Sequence, residues 1–320
     1  MRPFFKGHVV ERQPDMPLIL TIDTTKTGSA SNTFILPIQK TTTQVVKIFW
    51  GDGKNDLGVN GNNTHVYAMG GVYTIKIYSK IFTGLYFNNT GDKSKILSVS
   101  TFGKTISTSL YAAFYGCNNL TNIQFGGIIY LTTSAIFLLR GCSALTTLPM
   151  FDFAKVTTTS NMLQSCTSLT TVPLWNTSNV SSMASMFQGC TSLTTVPLLD
   201  MSNVTNCASM FQDCPALTTV PLFNLSKITN TSAMFAYCTL LTTVPLFDLS
   251  KVTNAANMFL GVTLTTASYS AFLVNLATLP LQSGVTFSGG SSKYDSAGAA
   301  ARAYIISTFG WTITDGGAAP

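Results

Sequence analysis

Charge is the scarcest commodity in this chain: Asp, Glu, Lys and Arg make up 9% of its 320 residues. Histidine is rarer still, with only His8 and His65. Two histidines leave almost no material for a Ser-His-Asp or Cys-His arrangement, so the chain is expected not to be an enzyme. Long apolar runs are missing as well. No charge stands between Lys155 and Asp200, yet Thr, Ser and Asn interrupt every stretch short of the ~20 apolar residues that span a bilayer. The opening MRPFFKGHVVERQPDM has neither the apolar h-region nor the small-residue cleavage site of a secretion signal. Either the chain stays in the cytoplasm, or its start is a processed end, or it reaches the outside without being secreted, as in a virus particle released by lysis. Gly289-Gly290 and Gly316-Gly317 lack the lysine of a phosphate loop and read as turns. The scarcity is not disorder, because 46% of residues are apolar and 11% aromatic.

The net charge of +6 sits at one end. Residues 1–104 hold twelve Lys/Arg against six Asp/Glu, and residues 105–320 hold six of each. The lysines are scattered, without a run or an aromatic-interleaved stripe, which points to a solvated surface rather than to nucleic acid.

What the chain has in abundance is itself. From Gly141 it repeats every 24 residues: GCSALTTLPMFD, SCTSLTTVPLWN, GCTSLTTVPLLD, DCPALTTVPLFN and YCTLLTTVPLFD. A fixed period in the twenties with apolar residues in register predicts a stacked solenoid. Cys117, Cys142, Cys166, Cys190, Cys214 and Cys238 form its ladder, and the next rung is Val262. Substitution by Val marks a small buried group, and no second Cys or His lies at zinc spacing. No metal or cofactor is therefore expected.

Within one repeat, Met183, Met186, Phe187 and Cys190 stand at i, i+3, i+4 and i+7, the spacing of one face of a two-turn helix. The face recurs from Cys207, Thr231 and Ala255. Ser182 and its equivalents Thr158, Asn206, Asn230 and Asn254 suit the N-cap. Leu193, Val196 and Leu198 then fit L-x-x-L-x-L and are expected to point inward. Pro197 limits the strand to a very short one. Asp152, Asn176, Asp200, Asn224 and Asp248 follow each strand, and turn-capping suits their register better than glycoside hydrolysis or calcium binding. Thr147, Thr171, Thr195, Thr219 and Thr243 are expected outward on the concave side. That column is either a binding face, for example for a glycan, or simply strand-suited threonine.

MFQGC, MFQDC and MFAYC followed by LTTV resemble the BspA-like leucine-rich repeats of bacterial and phage surface proteins. The likeness covers about residues 105–267 and implies extracellular binding or adhesion without a defined ligand. The flanking LYAAFYGCNNLTNI and AIFLLRGCSALTTL keep the Cys but lose Met-Phe. Upstream, Trp50-Gly51-Asp52-Gly53, His65-Val66-Tyr67 and Gly71-Val72-Tyr73-Thr74-Ile75 resemble the PKD-type immunoglobulin-like domain. That resemblance implies a β-sandwich used as spacer or docking module, with Asp52 and His65 as turn and packing residues. Beyond Thr266 the period breaks. Tyr269, Phe272, Leu273 and Leu276 make a helix face, Val285–Phe287 a strand, Ser296–Thr308 a helix capped by Asp295 or Ser296, and Trp311–Thr314 a strand. This last segment resembles C-terminal units of phage-encoded repeat proteins.

The expected fold is therefore mixed. A 1–15 arm precedes a 16–104 all-β PKD/Ig-like sandwich, a 105–267 α/β leucine-rich-repeat solenoid and a 268–320 α/β cap. The functional expectation is a phage virion structural protein, a tail fibre or capsid decoration assembled in the host cytoplasm. Its N-terminal region, with Phe4 and Phe5, would dock on other virion proteins. Its repeats would meet a host-surface glycan or protein receptor, without membrane insertion; self-association is a further partner class. The alternative is a bacterial cell-surface adhesin.

Overall fold

A computed structural model describes residues 17–38, 45–59, 61–78, 84–101, 111–124, 129–130 and 133–320. The 1–15 arm with Phe4 and Phe5, and the expected boundary at 104/105, lie outside the described residues. The architecture is mixed, with twelve strands and two α-helices among the described residues.

The N-terminal part is all-β: β1 (Leu18–Asp23), β2 (Thr33–Ile38), β3 (Val45–Phe49), β4 (Asn55–Val59), β5 (Gly61–Val66), β6 (Val72–Tyr78) and β7 (Ile96–Thr101). β1 pairs antiparallel with β6 on one side and β7 on the other, and β2 pairs antiparallel with β5 as a separate two-stranded sheet. Alternation in sequence dictates which face is buried. Leu18, Leu20 and Ile22 of β1, Phe34, Leu36 and Ile38 of β2, and Ile75 and Ile77 of β6 enter one shared core.

A charged pair unforeseen from the sequence pins this part together. Lys95 and Asp92 are both fully buried, with Nζ and Oδ1 3.7 Å apart. The ammonium donates to the carbonyls of Ser29, Ala30 and Thr33 at 3.0, 3.0 and 2.7 Å. The carboxylate accepts from the backbone N–H groups of Ser29 and Ile35 and from the Ser29 hydroxyl. The turn before β2 is thus tied to the short 3-10 turn before β7.

β7 leads directly into the repeats. It pairs in parallel with β8 (Asn122–Ile123), Ser98 opposite Asn122 and Val99 opposite Ile123, an offset of 24 residues. From there each coil lies on the last in register: Ser134, Thr158, Ser182, Asn206, Asn230 and Asn254 form successive parallel bridges. β9 (Ile129–Tyr130) and β10 (Phe151–Asp152) make one more short parallel pair.

The expected helix in each coil is absent from the described repeats, but Thr158, Asn206, Asn230 and Asn254 do accept the backbone N–H two residues on through their side chains, as expected of them. Met183, Ser185, Phe187 and Gly189 donate their N–H groups to Asn206, Ala208, Met210 and Gln212 of the next coil at 2.8–3.0 Å. Met186, Gln188 and Cys190 instead close three-residue-back turns onto Met183, Ser185 and Phe187. An α-helix starting at Met183 needs the N–H groups of Phe187 and Gly189 for the carbonyls of Met183 and Ser185. Neighbouring coils compete for them and win, which places Ser185 and Gly189 in the left-handed region at φ 54° and 72°. The inward face survives the change of backbone, since Met183, Met186, Phe187 and Cys190 are all fully buried.

A second correction concerns Leu198. It is 59% exposed, while Leu199 is 1% exposed. The N–H of Leu199 donates to the Pro197 carbonyl at 2.9 Å, a three-residue γ-turn that shifts the alternation by one. Phe223 and Phe247 repeat the bond to Pro221 and Pro245. Pro197 has no N–H to give the next coil, so no strand is assigned at 193–198.

After the last coil come α1 (Thr266–Ala277), β11 (Thr286–Ser288), α2 (Ser296–Phe309) and β12 (Thr312–Thr314). These agree with the sequence reading to within a residue where it named ends. Asp295 caps α2 by accepting from Gly298 N–H at 3.0 Å, and Gly310 leaves the helix left-handed at φ 68°. β11 takes the place of a further coil: Phe259 N–H donates to the Ser288 carbonyl, and Ala255 bridges Phe287. β12 then pairs in parallel with β11.

Three substitutions measure what holds these parts. Lys95→Met strands a buried carboxylate and is expected to cost about 3–5 kcal/mol. Lys95→Met with Asp92→Asn should recover part of that loss in urea denaturation; full additivity of the two changes would contradict the coupling. Phe211 stacks between Phe187 and Phe235 with centroids 5.4 and 5.7 Å away. Phe211→Ala should destabilise by about 3–5 kcal/mol by the same measurement.

Candidate functional site

Three groups of side chains in the chain invite a chemical reading. Seven cysteines form the first, and all are free and buried. Five thiols donate to a carbonyl of the preceding coil: Cys142 to Phe114, Cys166 to Leu139, Cys190 to Leu163, Cys214 to Phe187 and Cys238 to Phe211, at 3.0–3.2 Å. Cys207, off the ladder, reaches the carbonyl of Asn230 and the sulfur of Met234 in the following coil. Burial pushes the Cys214 thiol up to about 12, against hydrogen bonds that favour the thiolate. It pushes Cys142, Cys166 and Cys190 well above the ordinary thiol value. Such thiols are packing groups, not nucleophiles. Among the described residues no three His, Cys, Asp or Glu side chains gather as a metal would require.

Asp52 and His65 form the second group. Gly51, at φ 89°, turns so tightly against the Thr74 backbone that a β-carbon would collide. The turn delivers Asp52 Oδ2 to His65 Nε2 at 2.9 Å and Asp52 Oδ1 to the Lys54 N–H at 3.1 Å. Burial opposes ionisation of Asp52, but the hydrogen bonds from His65 and Lys54 outweigh it and hold the carboxyl below its usual range. The imidazole is stacked on Trp50 at 4.7 Å and edge-on to Tyr67 at 4.5 Å. The Tyr67 hydroxyl donates to the Trp50 carbonyl, and Trp50 Nε1 to Asp56. His65 is 7% exposed, so its ring is held rather than presented. A cavity of about 820 Å³ lies elsewhere in this part, lined by Ile35, Pro37, Tyr86, Phe87 and Tyr111 with Asp92. Asp92 is already engaged by the loop before β2.

The third group is the lateral face of the coils. Thr147, Thr171, Thr195, Thr219 and Thr243 are all exposed, and their hydroxyls make no hydrogen bond among the described residues. The adjoining Thr194 and Thr218 donate theirs to Thr170 and Thr194, so this column stitches coils together. A second stitching column, missed from the sequence, runs through Thr157, Ser181, Thr205, Thr229 and Thr253. Each gives both N–H and hydroxyl to the carbonyl 24 residues back. Its signal was there: an unbroken Ser/Thr position at the repeat period.

Beside the outward threonines stands a column that the expected register had hidden. Met150, Leu174, Leu198, Leu222 and Leu246 are 51–60% exposed. Asp152, Asn176, Asp200, Asn224 and Asp248 border it and accept the N–H two residues on at 2.8–3.2 Å. Side-chain and backbone hydrogen bonds from Ser202 lower the Asp200 carboxyl. These acids serve turns, as their register foretold. The arrangement has the chemistry of a contact face: neutral, periodic, with apolar and hydroxyl rows side by side.

The family model described as "Mycoplasma protein of unknown function, DUF285" matches residues 133–242 and 172–272. The matches fall on the coils that carry this face, and they are compatible with a BspA-like repeat protein. No curated protein matches the chain. Among the described residues, no helix is long and apolar enough to cross a membrane.

The raised thiol values have a direct consequence. At pH 8 the folded protein should react with fewer than one equivalent of a disulfide thiol reagent, and with seven once denatured. Rapid labelling of several cysteines in the native state would contradict the buried ladder.

Proposed function

We propose that the chain is a non-enzymatic structural protein of a phage particle, a tail fibre or head decoration. Its N-terminal part, read as an immunoglobulin-like sandwich of PKD type, docks on other virion proteins. Its coils, read as leucine-rich repeats, present a repeated face to a host-surface receptor or glycan. The observation that carries this reading is the exposed column Met150, Leu174, Leu198, Leu222 and Leu246 beside the unengaged threonines. Exposed apolar patches of several hundred Å² mark contact surfaces far more often than accidents of packing. The family match supports the coarser part, a surface repeat protein. The sequence feature behind the phage assignment is the C-terminal segment that resembles units of phage-encoded repeat proteins.

One observation favours a second reading. The matching family is described from a mycoplasma protein, which suits a cellular surface adhesin.

Mass spectrometry of purified virions separates the two. The chain is expected among the virion proteins, in multiple copies. Its absence there, with recovery from the surface of uninfected cells, would replace the phage reading by the adhesin. Incubation with host-surface polysaccharide should release no sugar; release that disappears in Asp200→Asn would overturn the non-enzymatic assignment.

A further inference from the structure

We propose that the face carrying Met150, Leu174, Leu198, Leu222 and Leu246 pairs with the same face of a second copy of this chain. The two stacks run parallel, about a two-fold axis lying along the stack. The inference rests on the reading of this face as a contact surface, and it gives the Met/Leu column to a second copy, which leaves the rest of the paired coils' surface to a host receptor.

Pitch is the first reason. Coils bonded as parallel strands are ~4.8 Å apart, and the column repeats once per coil through five coils. A partner must present apolar groups at that same spacing to cover every rung. A second copy does so by construction, whereas a mismatched surface would leave most rungs wet. The second reason is area. The Met/Leu column and the flanking threonines together expose on the order of 1,000 Å², against ~800 Å² per partner in a stable protein pair. Composition is the third. The face holds no aromatic ring for stacking on a sugar; its large side chains are one Met and four Leu, which interdigitate with their like. The hydroxyls of Thr171, Thr195 and Thr219 have no hydrogen-bond partner among the described residues, and can bond across the axis.

Charge selects the orientation. Along each coil the chain enters the face at neutral residues such as Ser143, Thr167 and Thr191, and leaves it at the column containing Asp152, Asp200 and Asp248, followed three residues on by a column containing Lys155, Lys227 and Lys251. Rotation about an axis along the stack lays this charged margin of one copy over the neutral margin of the other. Rotation about an axis across the stack would lay the aspartate column over aspartates and the lysine column over lysines, and like charges repel at close range. The parallel arrangement also leaves both N-terminal parts at the same end, as two copies docked on one base require.

Sedimentation equilibrium of the full chain tests the pairing. A dimer is expected at about 10 μM, and Leu174→Asp/Leu198→Asp/Leu222→Asp should weaken it at least 100-fold, since each rung would bury a carboxylate. The thermal melt should keep its cooperative shape, because the replaced side chains lie outside the core. Orientation is read by Leu174→Cys under mild oxidation, with the native thiols buried and silent. Parallel stacks bring position 174 onto itself and give a covalent dimer. Cross-linking only in a mixture of Leu174→Cys with Leu222→Cys would overturn the parallel arrangement. A monomer at 100 μM, or a dimer indifferent to the triple substitution, would overturn the pairing. If that monomer bound a host glycan or particle through the same leucines, the contact reading would stand without the pairing. If the triple variant matched the parent protein both in sedimentation and in binding to virions and host cells, the contact reading itself would fail.

Discussion

Competition for backbone N–H groups decides the shape of every repeat. Between Met183 and Gly189, alternate N–H groups are committed to the coil 23 residues ahead, and those of Met186 and Gln188 close turns within the coil. A chain under that constraint cannot coil as an α-helix, and it must pass twice per repeat through the left-handed region. Ser185, Ser209, Ala233 and Asn257 occupy the first such position; Gly189, Asp213, Tyr237 and Gly261 occupy the second. Each non-glycine residue there costs about 1–2 kcal/mol, less for Asp or Asn. Inter-coil hydrogen bonds and the stacking of Phe187, Phe211, Phe235 and Phe259 offset that strain. Strain and stacking recur together because both follow from one period.

The same constraint explains how far the sequence could be read. Spacing at i, i+3, i+4 and i+7 correctly places Met183, Met186, Phe187 and Cys190 inside, because side-chain direction here advances at nearly a helical rate. It misjudges the backbone, since periodicity reports which side chains are buried and not which carbonyl an N–H chooses. Leu198 fails for a more local reason. L-x-x-L-x-L assumes an extended chain through Pro197, and the γ-turn over Pro197 to Leu199 shifts the inward position by one. Composition carries no trace of that turn beyond the proline itself. Lys95 was illegible for another cause: its partners Ser29, Ala30 and Thr33 are more than sixty residues away, so nothing local distinguishes it from a solvated lysine. Asp52 and His65 were readable through a resemblance alone: Trp50-Gly51-Asp52-Gly53 and His65-Val66-Tyr67 are similar to a PKD-type motif, which implies a turn residue and a packing residue at those positions.

Both ends of the coil stack present unpaired backbone, a hazard for any sheet-like edge. At one end β7 supplies the missing neighbour, with Leu97 accepting from Thr121 N–H. At the other, β11 stands where the next coil would be, and Phe272 and Phe287 meet Phe259 edge-on instead of face-to-face. The change from stacked to T-shaped rings ends the aromatic column. Arg302 and Tyr269 converge on Asp315 at 2.9 and 3.0 Å and fasten the closing helices to β12.

With the ends covered and the interior filled by thiols, thioethers and rings, the sides of the coils are what remain for contact. They are not equivalent. On the side stitched by Thr157, Ser181, Thr205, Thr229 and Thr253, each hydroxyl is already bonded to the preceding coil. On the side of Thr147, Thr171, Thr195, Thr219 and Thr243 the hydroxyls make no hydrogen bond among the described residues, and the neighbouring large side chains are apolar and exposed. Holding coils together needs the first side and has no use for exposed leucine on the second. A leucine kept at four successive exposed rungs does nothing for the stability of an isolated chain, and it lowers solubility unless something covers it. The asymmetry between the two threonine columns therefore separates the part of the repeat that builds the stack from the part that meets another surface.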